Sequence, residues 1–322
     1  MKSIKRIVSI VVCLVTLLSL CACGNQGSTV STDESTEPTE ATVDPNAPLC
    51  DGKTLKILAI TSSFGLNTTQ LLYDIAVYEG ATDVVVGRLY ASGCTLEQHV
   101  NNAISNAPVY TYTKNEIGVW KTNYEVSMEY GLKDEDWDII FTQQGAAVAG
   151  QPHTYQNYVD RLIDHLDKNK TNPNARYVWN MTWAYQADTD QTVFHTVFQG
   201  DQMYMYNEIL NTVKNHIVPK SYFAAIIPSG TAIQNARTSY FGDTLTKDTY
   251  HLNNLGRVIA GYTLWSILTG KELTAVNLGP VNSPDLPEKL TLSDSDRQVI
   301  IECVNNAVKN PWEVTPSAYT QK

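Results

Sequence analysis

The chain is short of charge. Only 17% of its 322 residues are Asp, Glu, Lys or Arg, and the basic ones are the minority, 23 against 33 acidic. A formal charge of −10 provides no positive field to hold a phosphate backbone, which argues against nucleic acid as a partner. There is no Gly-x-Ser-x-Gly elbow, Walker loop, Gly-x-Gly-x-x-Gly turn or His-Glu-x-x-His pair, so nucleotide enzymes and zincins are poorly supported. His99, His153, His165 and His195 lack the spacing of metal ligands, and neither a metal nor an organic cofactor is expected. Long apolar runs are also missing: the stretch from Ile7 to Leu20 falls short of the ~20 residues that a spanning helix needs. What is present is enough apolar material, 43% of the chain, for a full globular core.

The amino terminus has its own logic. Lys2, Lys5 and Arg6 precede the apolar run, and the small residues Ala22 and Gly24 follow it, the pattern of a secretory signal over residues 1–22. Leu20-Cys21-Ala22-Cys23-Gly24 resembles the bacterial lipobox, in which cleavage precedes a cysteine that becomes lipid-modified, here Cys23. Two or more acyl chains anchor stably where one does not, each buried CH₂ adding ~0.8 kcal/mol. The expected location is therefore the cell envelope, outside the cytoplasm, with the membrane met only through the anchor; the alternative is free secretion with an incidental Cys23. Residues 23–50 carry Asp33, Glu34, Glu37, Glu40 and Asp44 among Ser, Thr and Pro, with no basic residue, and read as an extended tether. Beyond the signal and the lipid-blocked Cys23, the remaining cysteines are Cys50, Cys94 and Cys303. That odd number is no disulfide framework, although a Cys50–Cys303 pair stays open.

Residues 51–322 fit one α/β domain. Short apolar runs at 55–60, 84–86, 138–142, 175–181 and 222–227 alternate with helical patterns at about 71–78, 155–168 and 200–217, and a final helix pair fits about 253–269 and 294–308. Alternation over five strands predicts a three-layer α/β/α sandwich around a central parallel sheet of about five strands, because each parallel crossover needs a helix-length connection.

In such a sheet ligands bind beyond the carboxyl ends of the strands. The segments found there are Thr61-Ser62-Ser63-Phe64, Ser92-Gly93-Cys94-Thr95-Leu96-Glu97, Gln143-Gln144-Gly145, Met181 to Gln186, Pro228 to Arg237 and Asp248 to Leu252. In that order they resemble the SGNH (GDSL-like) hydrolases, and more narrowly a bacterial lipoprotein branch of unassigned substrate, DUF4886-like, over nearly the whole domain. The resemblance implies a flavodoxin-like sandwich and ester hydrolysis. It also departs from the branch pattern: Thr61-Ser62 stands where Gly-Asn is usual, Thr249 replaces a glycine, and Asn253 replaces a serine.

The residue types suit that chemistry. A serine hydroxyl needs a neighbouring imidazole to take its proton, and a carboxylate on the other ring nitrogen orients the imidazole. Ser63 is the expected nucleophile, with adjacent Ser62 as competitor; His251 is the base and Asp248 its partner three residues earlier. The amides of Ser63 and Gly93 and a side-chain amide of Gln144 or Gln143 are candidate oxyanion donors. Trp179, Trp183 and Tyr185, with Tyr204 and Tyr206, form either a sugar-stacking wall or core and rim; Trp183, Tyr185 and Gln186 are the candidate substrate contacts. The expectation is a surface-anchored, metal-independent serine esterase cleaving an acyl, best an acetyl, ester of a small molecule or extracellular glycan. The alternative is a catalytically degenerate lipoprotein of the same fold that binds glycan or peptide.

Overall fold

The computed structural model describes residues 48–279 and 289–321. The expected signal peptide, Cys23 and the tether up to residue 47 lie outside the described residues. β1 (Thr54–Thr61) leads through α1 (Ser63–Thr69) and α2 (Leu72–Tyr78) to β2 (Asp83–Tyr90) and α3 (Leu96–Ile104). A hairpin, β3 (Tyr110–Asn115) and β4 (Trp120–Val126), is followed by α4 (Met128–Lys133), β5 (Ile139–Thr142), α5 (Tyr158–Asn169) and β6 (Arg176–Asn180). Then come α6 (Thr192–Thr196), α7 (Gln202–His216), β7 (Phe223–Ile227), α8 (Ser229–Arg237), α9 (Asn254–Thr269) and α10 (Asp294–Lys309).

The sheet runs β4-β3-β2-β1-β5-β6-β7. Its five expected strands, β2, β1, β5, β6 and β7, are mutually parallel. Helices α1, α2, α8, α9 and α10 pack together on one face, and α3, α4 and α5 on the other, giving three layers. Covering both faces is what makes an uninterrupted apolar strand stable. Leu55, Ile57, Leu58 and Ile60 of β1 are all buried, and full burial of such a side chain contributes ~1.5–3 kcal/mol.

The sheet is larger than expected by the antiparallel hairpin β3–β4. Most of β4 is exposed, its sequence Trp-Lys-Thr-Asn-Tyr-Glu-Val is largely polar, and it forms the outer edge. Edge strands gain solubility from such charges, and the same charges erase the apolar signal by which strands are recognised. Near its end Glu125 takes a positive φ of 54°, where the β3–β4 register slips.

Cys50 and Cys303 are not paired. The Cys303 thiol is buried inside α10 and donates to the Ile300 carbonyl, whereas Cys50 hangs by its amide from the Leu268 carbonyl at the end of α9. No helix among the described residues is long and apolar enough to cross a membrane.

Candidate active site

β1 ends at Thr61, and the chain turns into α1 through Ser62, whose φ of −100° and ψ of −165° are ordinary extended values. Thr61 has no positive φ either. The turn therefore needs no glycine, and the departure at Thr61-Ser62 leaves it unstrained. The Thr61 hydroxyl donates to the Ser62 carbonyl (3.0 Å). The two serines have opposite fates. Ser62 is 2% exposed, and its Oγ accepts a hydrogen bond from Gln143 Nε2 at 3.3 Å. Ser63, first residue of α1, is half-buried, and its hydroxyl has no hydrogen-bonded partner among the described residues.

Beneath this turn runs a buried neutral network. Asn180 Nδ2 donates to Gln143 Oε1 at 2.9 Å and lies 3.4 Å from Thr68 Oγ1, while Asn180 Oδ1 accepts from Ser229 Oγ at 2.7 Å. An unpaired amide at such depth would cost ~1–3 kcal/mol, so these bonds fix which way the Gln143 amide faces. One of its Nε2 protons goes to Ser62, and the other remains beside the start of α1. Asn180, Ser229 and Thr68 were not singled out from the sequence; they lie within a strand and two helices and carry no spacing signal.

Gln144, taken with Gln143 as a candidate oxyanion donor, is spent elsewhere. Its Oε1 accepts from the amides of Leu96 (2.8 Å) and Gly145 (2.9 Å), and its Nε2 donates to the carbonyl and hydroxyl of Thr154, both at 3.1 Å. It joins the start of α3 to the segment after β5. Gly145 allows that closeness: a Cβ there would meet the Cys94 carbonyl oxygen at 3.0 Å. Gly93 is exposed, with φ +61° and nothing within 4 Å of where a Cβ would lie, so glycine serves the left-handed turn rather than clearance.

On the opposite side of the rim, Asp248 and His251 form a pair. Asp248 Oδ2 lies 2.8 Å from His251 Nδ1, and Asp248 Oδ1 accepts the His251 backbone amide at 2.8 Å. Burial pushes the Asp248 carboxyl up, but the hydrogen bonds from the His251 ring and amide outweigh it and hold the group below the usual carboxylate range. This contact leaves His251 Nε2 without a partner among the described residues. The turn between them puts Thr249 at φ +71°, where the branch pattern has glycine; a β-branched residue there carries ~1–3 kcal/mol of strain. Thr249 is held by a hydroxyl contact with Thr189 (2.7 Å) and by its carbonyl, which accepts the Gln186 amide (2.7 Å). Asn253 caps α9 in place of the usual serine, accepting from the Gly256 amide at 3.1 Å.

The serine turn and the histidine loop meet. The Phe64 ring, next to Ser63, stands edge-on to His251 with centroids 5.9 Å apart, and the Leu252 amide donates to Asn67 Oδ1 of α1 at 2.9 Å. Ser63 and His251 are not hydrogen-bonded to each other, as is common before a substrate tightens such a site.

Trp183, Tyr185 and Gln186 do not form a substrate wall. Trp183 is fully buried, stacks on Phe64 (4.2 Å, 6°) and donates its indole N–H to the Tyr250 carbonyl at 2.8 Å. Tyr185 is buried between Phe64, Phe194 and Tyr250. The Gln186 side chain binds Thr246 and Asp188. All three brace the histidine loop. Arg237 holds the neighbouring Ala184 and Asp243: burial brings its pKa down to about 10, its Nη1 donates to the Ala184 carbonyl (3.1 Å), and its Nε lies 2.8 Å from Asp243 Oδ1. No group of three or more His, Cys, Asp or Glu that could hold a metal ion occurs among the described residues.

Residues 56–285 match the family model described as a domain of unknown function, DUF4886. The chain belongs to the DUF4886 family. The six segments resembled this family. A crystal structure of a DUF4886 family protein from Bacteroides uniformis ATCC 8492 is 32% identical, with a TM-score of 0.72 over 82% of this chain and 98% of its own. Looser likenesses are to a candidate SGNH hydrolase from Slackia heliotrinireducens (15% identical, TM-score 0.42, 67% of this chain and 99% of that one) and to the lipase Lip_vut3 from a goat rumen metagenome (11%, 0.41, 66% and 97%). Neither likeness bears on what this chain does. No curated protein matches the chain.

Proposed function

We propose that this DUF4886 protein is a serine esterase of the SGNH kind, held at the cell envelope through Cys23 and acting on an acetyl ester of an extracellular carbohydrate. The observation that carries the reading is the 2.8 Å Asp248–His251 pair, whose Nε2, without a partner among the described residues, lies on the loop that packs against Phe64 beside Ser63, the more open of the two adjacent serines. His251 Nε2 takes the Ser63 hydroxyl proton as Oγ attacks the ester carbonyl, and Asp248 stabilises the imidazolium without itself being protonated. The amides of Ser63 and Gly93 and the second Nε2 proton of Gln143 receive the developing oxyanion; one such donor typically contributes ~3–4 kcal/mol to the barrier. The imidazolium then protonates the departing alcohol, and water, deprotonated by the same ring, releases the acid from the acyl-enzyme.

The test is hydrolysis of p-nitrophenyl acetate by the purified protein. Ser63→Ala and His251→Ala are each expected to lower kcat by at least ~10³-fold, with unchanged unfolding midpoints. Turnover that persists undiminished in a folded Ser63→Ala variant overturns the reading and leaves a glycan- or peptide-binding member of the family.

A further inference from the structure

We infer that the cleft between the start of α3 and the 146–158 segment receives the alcohol part of the ester, and that this part is a single uncharged sugar ring. The inference rests on the esterase reading for the word alcohol, but not for the site itself. The cleft has a volume of about 310 Å³, and its lining includes Thr95, Glu97, Val148, His153, Thr154 and Tyr158. That lies at the small end of the ~300–1,000 Å³ typical of small-molecule sites, which suits one ring rather than a chain.

Its location follows from the Gln-Gln-Gly segment. Gln143 faces the serine turn, and the next residue, Gln144, ties together the two walls of this cleft through Leu96 and Thr154. Thr95, which caps α3 with Gln98, is two residues from Gly93. Its walls are thus tied to the segments that also carry Gly93 and Gln143, two of the proposed oxyanion donors, and it is to this place that the part of the ester leaving the acyl carbon is assigned.

Its chemistry selects the occupant. The Tyr158 ring is half-exposed, and its hydroxyl donates to Glu97 Oε1 at 2.8 Å. This fixes the carboxylate while Oε2 has no partner among the described residues, leaving an oriented acceptor at the edge of an apolar floor to which Tyr158 and Val148 contribute. A sugar presents such a floor with C–H groups and such an acceptor with hydroxyls. An anionic ligand would meet Glu97 with no lysine or arginine in the lining. The Arg161 guanidinium carbon stands 6.0 Å from the Tyr158 centroid, so a cationic ligand at the ring would add like charge beside it.

The experiment uses the full chain with two esters, methyl 6-O-acetylglucoside and ethyl acetate, and reads the ratio of their kcat/KM values. Tyr158→Ala and Glu97→Gln are expected to lower that ratio at least tenfold. A second arm follows binding of methyl glucoside to folded Ser63→Ala protein by amide chemical shifts at Thr95, Glu97 and Thr154, which Tyr158→Ala should abolish. An unchanged ratio, or shifts absent from these residues, overturns the inference. Methyl glucoside bound in the cleft by a protein that hydrolyses neither ester upholds the sugar site and overturns the esterase reading alone.

Discussion

Behind Ser63 the supports are neutral and buried: Ser62, Gln143, Asn180 and Ser229 hand hydrogen bonds from α8 through the sheet to the turn, with no titratable group among them. Behind His251 they are mixed and closer to water: a carboxylate, a strained threonine, and single bonds from Trp183, Gln186 and Asn67. The first arrangement behaves as part of the core, so the proposed nucleophile is fixed to the precision of the sheet. The second is a surface loop clipped at several points, so the ring can adjust when substrate arrives.

Three perturbations would break or sharpen this contrast. The largest effect is expected from Asn180→Ala, which strands Gln143 Oε1 and Ser229 Oγ and opens a void; unfolding in urea should show a loss of about 3 kcal/mol, and esterase kcat should fall with it. Acid should act on the histidine side alone. Because the folded Asp248 pKa lies below its ordinary 3.8, the stability it contributes is present above that value and is lost as pH falls through the lower folded one. Backbone amide shifts of His251 and Leu252 should titrate in that window while those of Gln143 and Asn180 stay level; equal movement of both would erase the distinction. The smallest change is Thr249→Asn, which tolerates the left-handed turn and should raise the unfolding midpoint by a degree or two, as gains below about 1 kcal/mol do in a domain of this size. A midpoint that drops would mean that the Thr189 contact outweighs the strain.

The parallel core was legible because strands buried on both faces must be runs such as Leu55 to Ile60, and the helices between them show their apolar stripe. The β3–β4 hairpin was not, since an edge strand such as Trp120–Val126 is built of residues that avoid pairing with another chain. In the site, Asp248 and His251 were legible because a three-residue spacing closes on itself locally. Gln143 and Gln144 could not be separated by type: they are identical amides, and which one meets the serine turn depends on the opposite directions of neighbouring residues at a strand end. Trp183 and Tyr185 misled for a related reason, because an aromatic after a strand looks the same whether it faces a ligand or, as here, props a loop. Asn180 and Ser229 had no local signature, and their role exists only once β6 and α8 lie side by side.

The amides of Leu49 and Cys50 hang from the Leu268 carbonyl at the far end of α9, and Arg176, opening β6, reaches the Leu49 carbonyl. The polypeptide thus joins the domain at the pole where the parallel strands begin, while Ser63 and His251 sit where they finish. A substitution at Leu49 or Arg176 therefore disturbs the pole remote from the proposed catalytic residues and should leave the Asp248–His251 pair in place.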